Sequence, residues 1–179
     1  GHGENHIAVK AVDEAGNESE AATSMILYNR PPTLGTISPS SGSSHPNTGV
    51  FFTAKYSDPD GWTDIKYVHL LISVNSNSKI NSFYGSYDVA SNKLFIIDDP
   101  ATTWLGGYTP GSPTPIENSY VKLNTSVTTV SGSGTTLMIM WNITFKPTFS
   151  GVKNSYLYMS DKFDRTAGMA ESADAADSK

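Results

Sequence analysis

Thr135-Thr136-Leu137-Met138-Ile139-Met140-Trp141-Asn142-Ile143-Thr144-Phe145 alternates without a break, placing Leu137, Ile139, Trp141, Ile143 and Phe145 on one side. A period of two is the repeat of a strand with one face buried, so the run predicts a strand that carries Trp141 into a core. Other runs on either side fit the same scheme. Residues 50–56 read as a strand, and residues 65–74 as a second with Ile65, Tyr67, His69 and Leu71 on one face and Val68, Leu70 and Ile72 on the other. Apolar residues on both faces mark a strand in the middle of a sheet. Residues 82–89 and 93–98 flank Ala90-Ser91-Asn92 as a hairpin, and residues 120–123 and 155–160 supply two further strands.

About seven short antiparallel strands, punctuated by turn residues, predict an all-β chain folded as an immunoglobulin-like antiparallel β-sandwich. Only 16% of residues are charged, and no window carries helical periodicity. The net charge of −5, with no run of Lys or Arg, argues against a nucleic-acid surface, which needs clustered cations to displace counterions. No apolar stretch approaches the length of a membrane span. The absence of cysteine removes disulfides, thiolate metal sites and cysteine nucleophiles together. The polar, Thr/Ser/Asn-rich composition leans towards an extracellular or cell-surface setting.

A strand followed by an acidic loop occurs twice, as Gly3-Glu4-Asn5-His6-Ile7-Ala8-Val9-Lys10-Ala11-Val12-Asp13-Glu14-Ala15-Gly16-Asn17 and as Gly151-Val152-Lys153-Asn154-Ser155-Tyr156-Leu157-Tyr158-Met159-Ser160-Asp161-Lys162-Phe163-Asp164. The first copy forms a predicted hairpin with Ala-Thr-Ser-Met-Ile-Leu-Tyr at 22–28. An isolated hairpin is marginal in water, because its apolar face has nothing to bury against. Asn29-Arg30-Pro31-Pro32 then reads as a stiff linker, since the proline pair fixes φ and ends strand pairing. The expected organisation is residues 1–29 as the closing strand pair of a preceding module, or as donor strands, residues 30–168 as the sandwich, and residues 169–179 as a flexible tail. Past Asp164 the chain carries small and acidic residues that bury little, so the module is expected to lack its last strand.

Asp13-Glu14-Ala15-Gly16-Asn17, the stretch from Pro31-Pro32 to Asp164 with Ser57-Asp58-Pro59-Asp60-Gly61, and Tyr156-Leu157-Tyr158 resemble bacterial immunoglobulin-like and fibronectin type III-like modules of large secreted or surface proteins. The resemblance implies a sandwich fold and a non-catalytic structural or adhesive role, since such modules serve as spacers, adhesins and polysaccharide-binding appendages.

Three constellations are candidates for function. Asp58, Asp60 and Asp64 in one loop and Asp161 and Asp164 in another are expected at the same end of the sandwich. Converging carboxylates repel unless a hard cation joins them, which points to calcium; the other reading is ordinary acidic turns in water. Trp104 and Tyr108 in a Gly/Pro-rich stretch, with Tyr84 and Tyr87 on the neighbouring hairpin, would stack on sugar rings in a carbohydrate-binding module appended to a polysaccharide-acting enzyme. Alternatively, Trp104 plugs the sandwich edge. Met25, Ile26, Leu27 and Tyr28 form an orphan strand that would complete the sheet of another copy, giving a filament where head-to-tail addition does not close; the other reading is that the hairpin belongs to a preceding module of a larger protein, so neighbouring modules or copies of the chain are the expected partners.

Catalytic arrangements are not found. His2, His6, His45 and His69 are scattered, with His69 read as a satisfied strand residue. Asp98 and Asp99 are adjacent and so lack the spacing of a glycosidase pair. Ser131-Gly132-Ser133-Gly134 reads as a turn without the lysine of a phosphate loop. Asn17, Asn124 and Asn142 head glycosylation sequons.

Overall fold

The computed structural model describes residues 3–168. The chain divides into two compact units, Gly1–Arg30 and Pro31–Lys179. In the first unit, β1 (Gly3–Val9) pairs antiparallel with β2 (Ala22–Tyr28) in a two-stranded sheet.

The second unit is a sandwich of two six-stranded sheets. The first sheet contains β3 (Thr33–Ser38), β4 (Gly49–Ser57), β9 (Ile116–Glu117), β10 (Val121–Leu123), β11 (Thr129–Ser133) and β12 (Thr136–Phe145). The second contains β5 (Ile65–Ser73), β6 (Phe83–Asp88), β7 (Lys93–Ile97), β8 (Trp104–Tyr108), β13 (Asn154–Asp161) and β14 (Thr166–Gly168). Sheet order is β3-β4-β12-β10-β9 with β11 also on β12, facing β14-β13-β5-β6-β7-β8. Pairing β4 with β12 in one sheet and β5 with β13 in the other is the connectivity of an immunoglobulin-like sandwich. Among the described residues, no helix is long and apolar enough to cross a membrane.

β12 organises the first sheet. It pairs with β4 along one edge from Thr136↔Ser57 to Thr144↔Gly49, and its other edge is shared by β11 and β10. Leu137, Ile139, Trp141 and Ile143 are fully buried, as their alternation predicts, while Phe145 is half-buried against Phe52 and Phe149. Opposite them lie Val68, Leu70, Ile72, Phe83, Leu94, Ile96, Leu157 and Met159 of the second sheet. Phe83 meets Trp141 edge to face, with 5.9 Å between ring centroids. A direct polar link also crosses the core: the buried Tyr56 hydroxyl donates to the His69 carbonyl at 2.9 Å. Burial holds the Tyr56 phenol well above its usual range.

Several segments differ from their sequence reading. Trp104–Tyr108 is an edge strand, not a loop; Gly106 and Gly107 conceal it by breaking the alternation, and both adopt positive φ at the register shift opposite Leu94 and Phe95. Thr129–Ser133 is a strand rather than only a turn, because β12 supplies a full partner edge.

The expected absence of a last strand is also corrected. Thr166–Gly168 pairs with Tyr158–Ser160, with Ala167 packed against the core. Three residues suffice because the preceding turn fixes their register, so intrinsic β-propensity decides little. The predicted tail, 169–179, lies outside the described residues.

Gly85 shows how tightly the two sheets are packed. A Cβ there would stand 2.7 and 2.9 Å from two Phe83 ring carbons and 3.1 Å from Trp141. Gly85→Ala should therefore cost roughly 1–3 kcal/mol, the range for overpacking a filled core, as a lowered urea midpoint with unchanged slope. A variant as stable as the parent would mean that the core has slack at this point.

Candidate metal centre

Three turns meet at one end of the sandwich. The β4–β5 connection runs through Asp58-Pro59-Asp60-Gly61 into a 3-10 turn at Trp62–Asp64. Asp58 N donates to Thr135 O at 2.8 Å and Trp62 N to Gly134 O at 3.1 Å, which ties the connection to the β11–β12 turn. On the other side, Lys162 N donates to Asp64 O at 2.9 Å, which ties it to the β13–β14 turn. Trp62 lies flat on Gly132, where a Cβ would come within 2.2 Å of the indole. The aromatic ring thus closes the loop down on the sheet.

This anchoring buries the acids. Asp58 has no exposure at all, and Asp60 and Asp64 are 8% exposed each. Each offers a carboxylate oxygen, and these atoms all lie within 4.8 Å of one another. Asp58 Oδ1 accepts the Asp60 backbone N–H at 2.8 Å, a local turn bond that aspartate makes readily. Its Oδ2 is buried with no hydrogen-bond partner. Burial first, and then the Asp64, Asp161 and Asp60 charges, raise the Asp58 carboxyl above its ordinary range against the opposing Asp60 N–H bond. A buried carboxylate oxygen that accepts nothing, beside two other carboxylates, is costly unless a cation or proton joins it. Oxygen-only donors suit a hard cation such as calcium.

Of the five expected ligands, the structure brings Asp58, Asp60 and Asp64 together. Asp161 is buried beside them and acts on Asp58 electrostatically, but its Oδ1 already accepts Phe163 N at 2.9 Å and Arg165 N at 2.8 Å. Asp164 turns away: its exposed carboxylate pairs with Lys66 Nζ at 2.8 Å.

The four aromatic candidates separate. Trp104 and Tyr84 meet on the outer face of the second sheet, their rings 5.2 Å apart, whereas Tyr87 belongs to the inner core. Tyr84 and Tyr87 are buried, so neither presents a ring face to a sugar. Trp104 and Tyr108 are partly exposed, but the bulge at Gly107 puts Tyr108 opposite the core residue Leu94, while Trp104 stands opposite Ile97 of the outer cluster. Tyr87 instead lines a groove of about 670 Å³ with Trp62, Asn92, Val130 and Lys162, and its hydroxyl meets Asn92 Oδ1 at 2.9 Å. The sequence reading missed the approach of Trp62 and Tyr87, which are distant in the chain.

His69 is not the satisfied residue that its strand position suggested. It is stacked on Tyr84 at 5.1 Å between Trp104 and Tyr158, and its Nδ1 is buried without a partner. Lys79 Nζ lies 5.0 Å over the same Tyr84 ring. Of the orphan-strand residues, Met25, Ile26 and Tyr28 are more than half exposed, while the Leu27 side chain lies outside the described residues. The pairing place beside β13 that strand exchange would use is filled by β14 along Tyr158–Ser160.

The remaining candidates have structural work. Asp98 accepts Thr102 N at 2.7 Å and Thr103 N at 3.1 Å, and Asp99 accepts Ser119 N at 3.0 Å. Asn124 Nδ2 donates to Asn142 Oδ1 and Thr144 Oγ1 where β10 gives way to β11, so these two sequon asparagines are spent on the fold.

Burial first, then the Lys79 charge, push the His69 pKa down to about 3. Because the unfolded imidazole titrates near 6.5, the proton prefers the unfolded chain. Stability is full above about pH 6.5 and falls towards pH 3 by up to about 1.4 kcal/mol per pH unit from this residue. His69→Gln should show a shallower loss of Tm between pH 6 and 4 than the parent; parallel curves would exclude His69 as the titrating group. No family model, curated protein or solved structure matches the chain, so its functional reading rests on this geometry.

Proposed function

We propose that the sandwich is a non-catalytic structural module of a secreted or cell-surface protein, whose three-turn end is stiffened by a calcium ion held by Asp58, Asp60 and Asp64. The observation that carries the reading is the Asp58 Oδ2 atom, buried without a hydrogen-bond partner among other carboxylates. Folding confines these negative charges at one junction, and a divalent cation offsets both their desolvation and their mutual repulsion.

The β4–β5 loop is already hydrogen-bonded to the β11–β12 and β13–β14 turns. An ion there locks the end of both sheets at once. Stiffness of this kind serves a spacer or adhesive element, which transmits force or sets distance and needs no reaction centre. Extracellular calcium modules work at dissociation constants of about 10⁻⁴–10⁻³ M, the range expected for a site of only three carboxylates in an extracellular setting.

The test is thermal unfolding of the full chain in calcium, in magnesium and in chelator, with titration calorimetry alongside. Free calcium about tenfold above its dissociation constant should stabilise by about 1.4 kcal/mol and raise Tm by roughly 4 °C. Asp58→Asn keeps the Oδ1 acceptor and removes the buried charge. It should melt higher than the parent in chelator and gain nothing from calcium. A parent indifferent to calcium, or a variant that still responds, would overturn the proposal.

A further inference from the structure

The turn of the N-terminal hairpin and the β13–β14 turn share the same set of main-chain bonds and of bonds from backbone N–H groups to the leading aspartate. In the first, Asp13 N donates to Asn17 O and Gly16 N to Asp13 O, while Asp13 Oδ1 accepts Ala15 N and Asn17 N. In the second, Asp161 N donates to Arg165 O and Asp164 N to Asp161 O, while Asp161 Oδ1 accepts Phe163 N and Arg165 N. The fourth residue has positive φ in both, 84° at Gly16 and 60° at Asp164. The pairing next to the turn matches too: Val12 bridges Glu18 as Ser160 pairs with Thr166.

The faces correspond as well. Counting back from the turn aspartate, Ala11 and Val9 stand where Met159 and Leu157 enter the core. Ile7 and Val9 share their face with Ile26 and Tyr28 across the hairpin, because directly opposed residues point to one side. All four are about half exposed or more. The hairpin therefore carries the core face of a closing strand pair, and among the described residues of its own unit none belongs to a hydrophobic core cluster.

β13 has two partners, β14 on one edge and β5 on the other. We infer that residues 3–28 are the closing hairpin of a second sandwich of this same architecture. The edge of β1 opposite its β2 pairing receives a β5-type strand, and Ile7, Val9 and Ile26 cover that sandwich's core. The occupant is a β-sandwich whose own β13–β14 place is vacant.

The experiment keeps the full chain and adds a second copy of residues 31–153 before Gly3, so that the hairpin stands where β13 and β14 would. Amide exchange read by mass spectrometry should show the added copy folded and the β1 amides protected at least tenfold more than in the parent chain. Ile7→Asp with Val9→Asp should unfold the added copy and leave residues 31–168 protected as before. An added copy that stays unfolded, or one that folds regardless of the two aspartates, overturns the inference. A second variant avoids the hybrid core altogether: Lys162→Glu, Phe163→Ala, Asp164→Gly and Arg165→Asn transplant the first turn onto the sandwich. Its Tm should remain within a few degrees of the parent, and loss of cooperative unfolding would overturn the equivalence of the two turns.

Discussion

The sandwich depends on the space that Trp141 occupies between its sheets. The indole is fully buried on β12, Phe83 meets it edge to face from the opposite sheet, and Gly85 gives up its side chain so that the two rings fit. Interiors are packed close to crystal density, so one large ring at the centre fixes the sheet separation for everything around it. Tyr56 then pins the height of the opposite sheet through its hydroxyl on the His69 carbonyl, a bond made in a place where water cannot substitute.

Two polar features sit on that frame and carry unfavourable energy in opposite chemical senses. At the three-turn end, carboxylates are buried beside one another, which favours a proton or a cation. On the outer face of the second sheet, His69 is buried among Tyr84, Trp104 and Tyr158 with Lys79 nearby, which disfavours a proton. The backbone geometry around each explains why it persists. The acidic loop is fastened through main-chain bonds to two other turns, and β5 is paired on both edges, so the backbone that carries each side chain is held in place.

How much of this was legible in the sequence follows the range of the interaction concerned. Residues 136–145 and 65–73 announce themselves because a half-buried or central strand writes its burial into its own apolar pattern. The Asp-led turn at 13–17 is equally local, since aspartate makes the bonds to residues two and four positions on. β8 and β14 were hidden. Gly106 and Gly107 interrupt the alternation of the first, and the second is three residues long, held by a turn and by its neighbour. The acidic loops were seen as a group, yet Asp164 fell outside it because Lys66, distant in sequence, claims its carboxylate.

The sequence by itself determined the strand class, the central place of residues 65–73, the inward face of β12 and the twofold occurrence of the acidic turn, because each is set by period or by bonds within five residues. Tertiary structure alone decided the rest: which aspartates share one buried site, that Tyr84 and Tyr87 lie on opposite faces of the same sheet, that His69 Nδ1 is buried without a hydrogen-bond partner, and that β14 closes the sheet. Those outcomes depend on what a side chain meets across the core or across a sheet edge, and the partners come from positions that no local pattern can register.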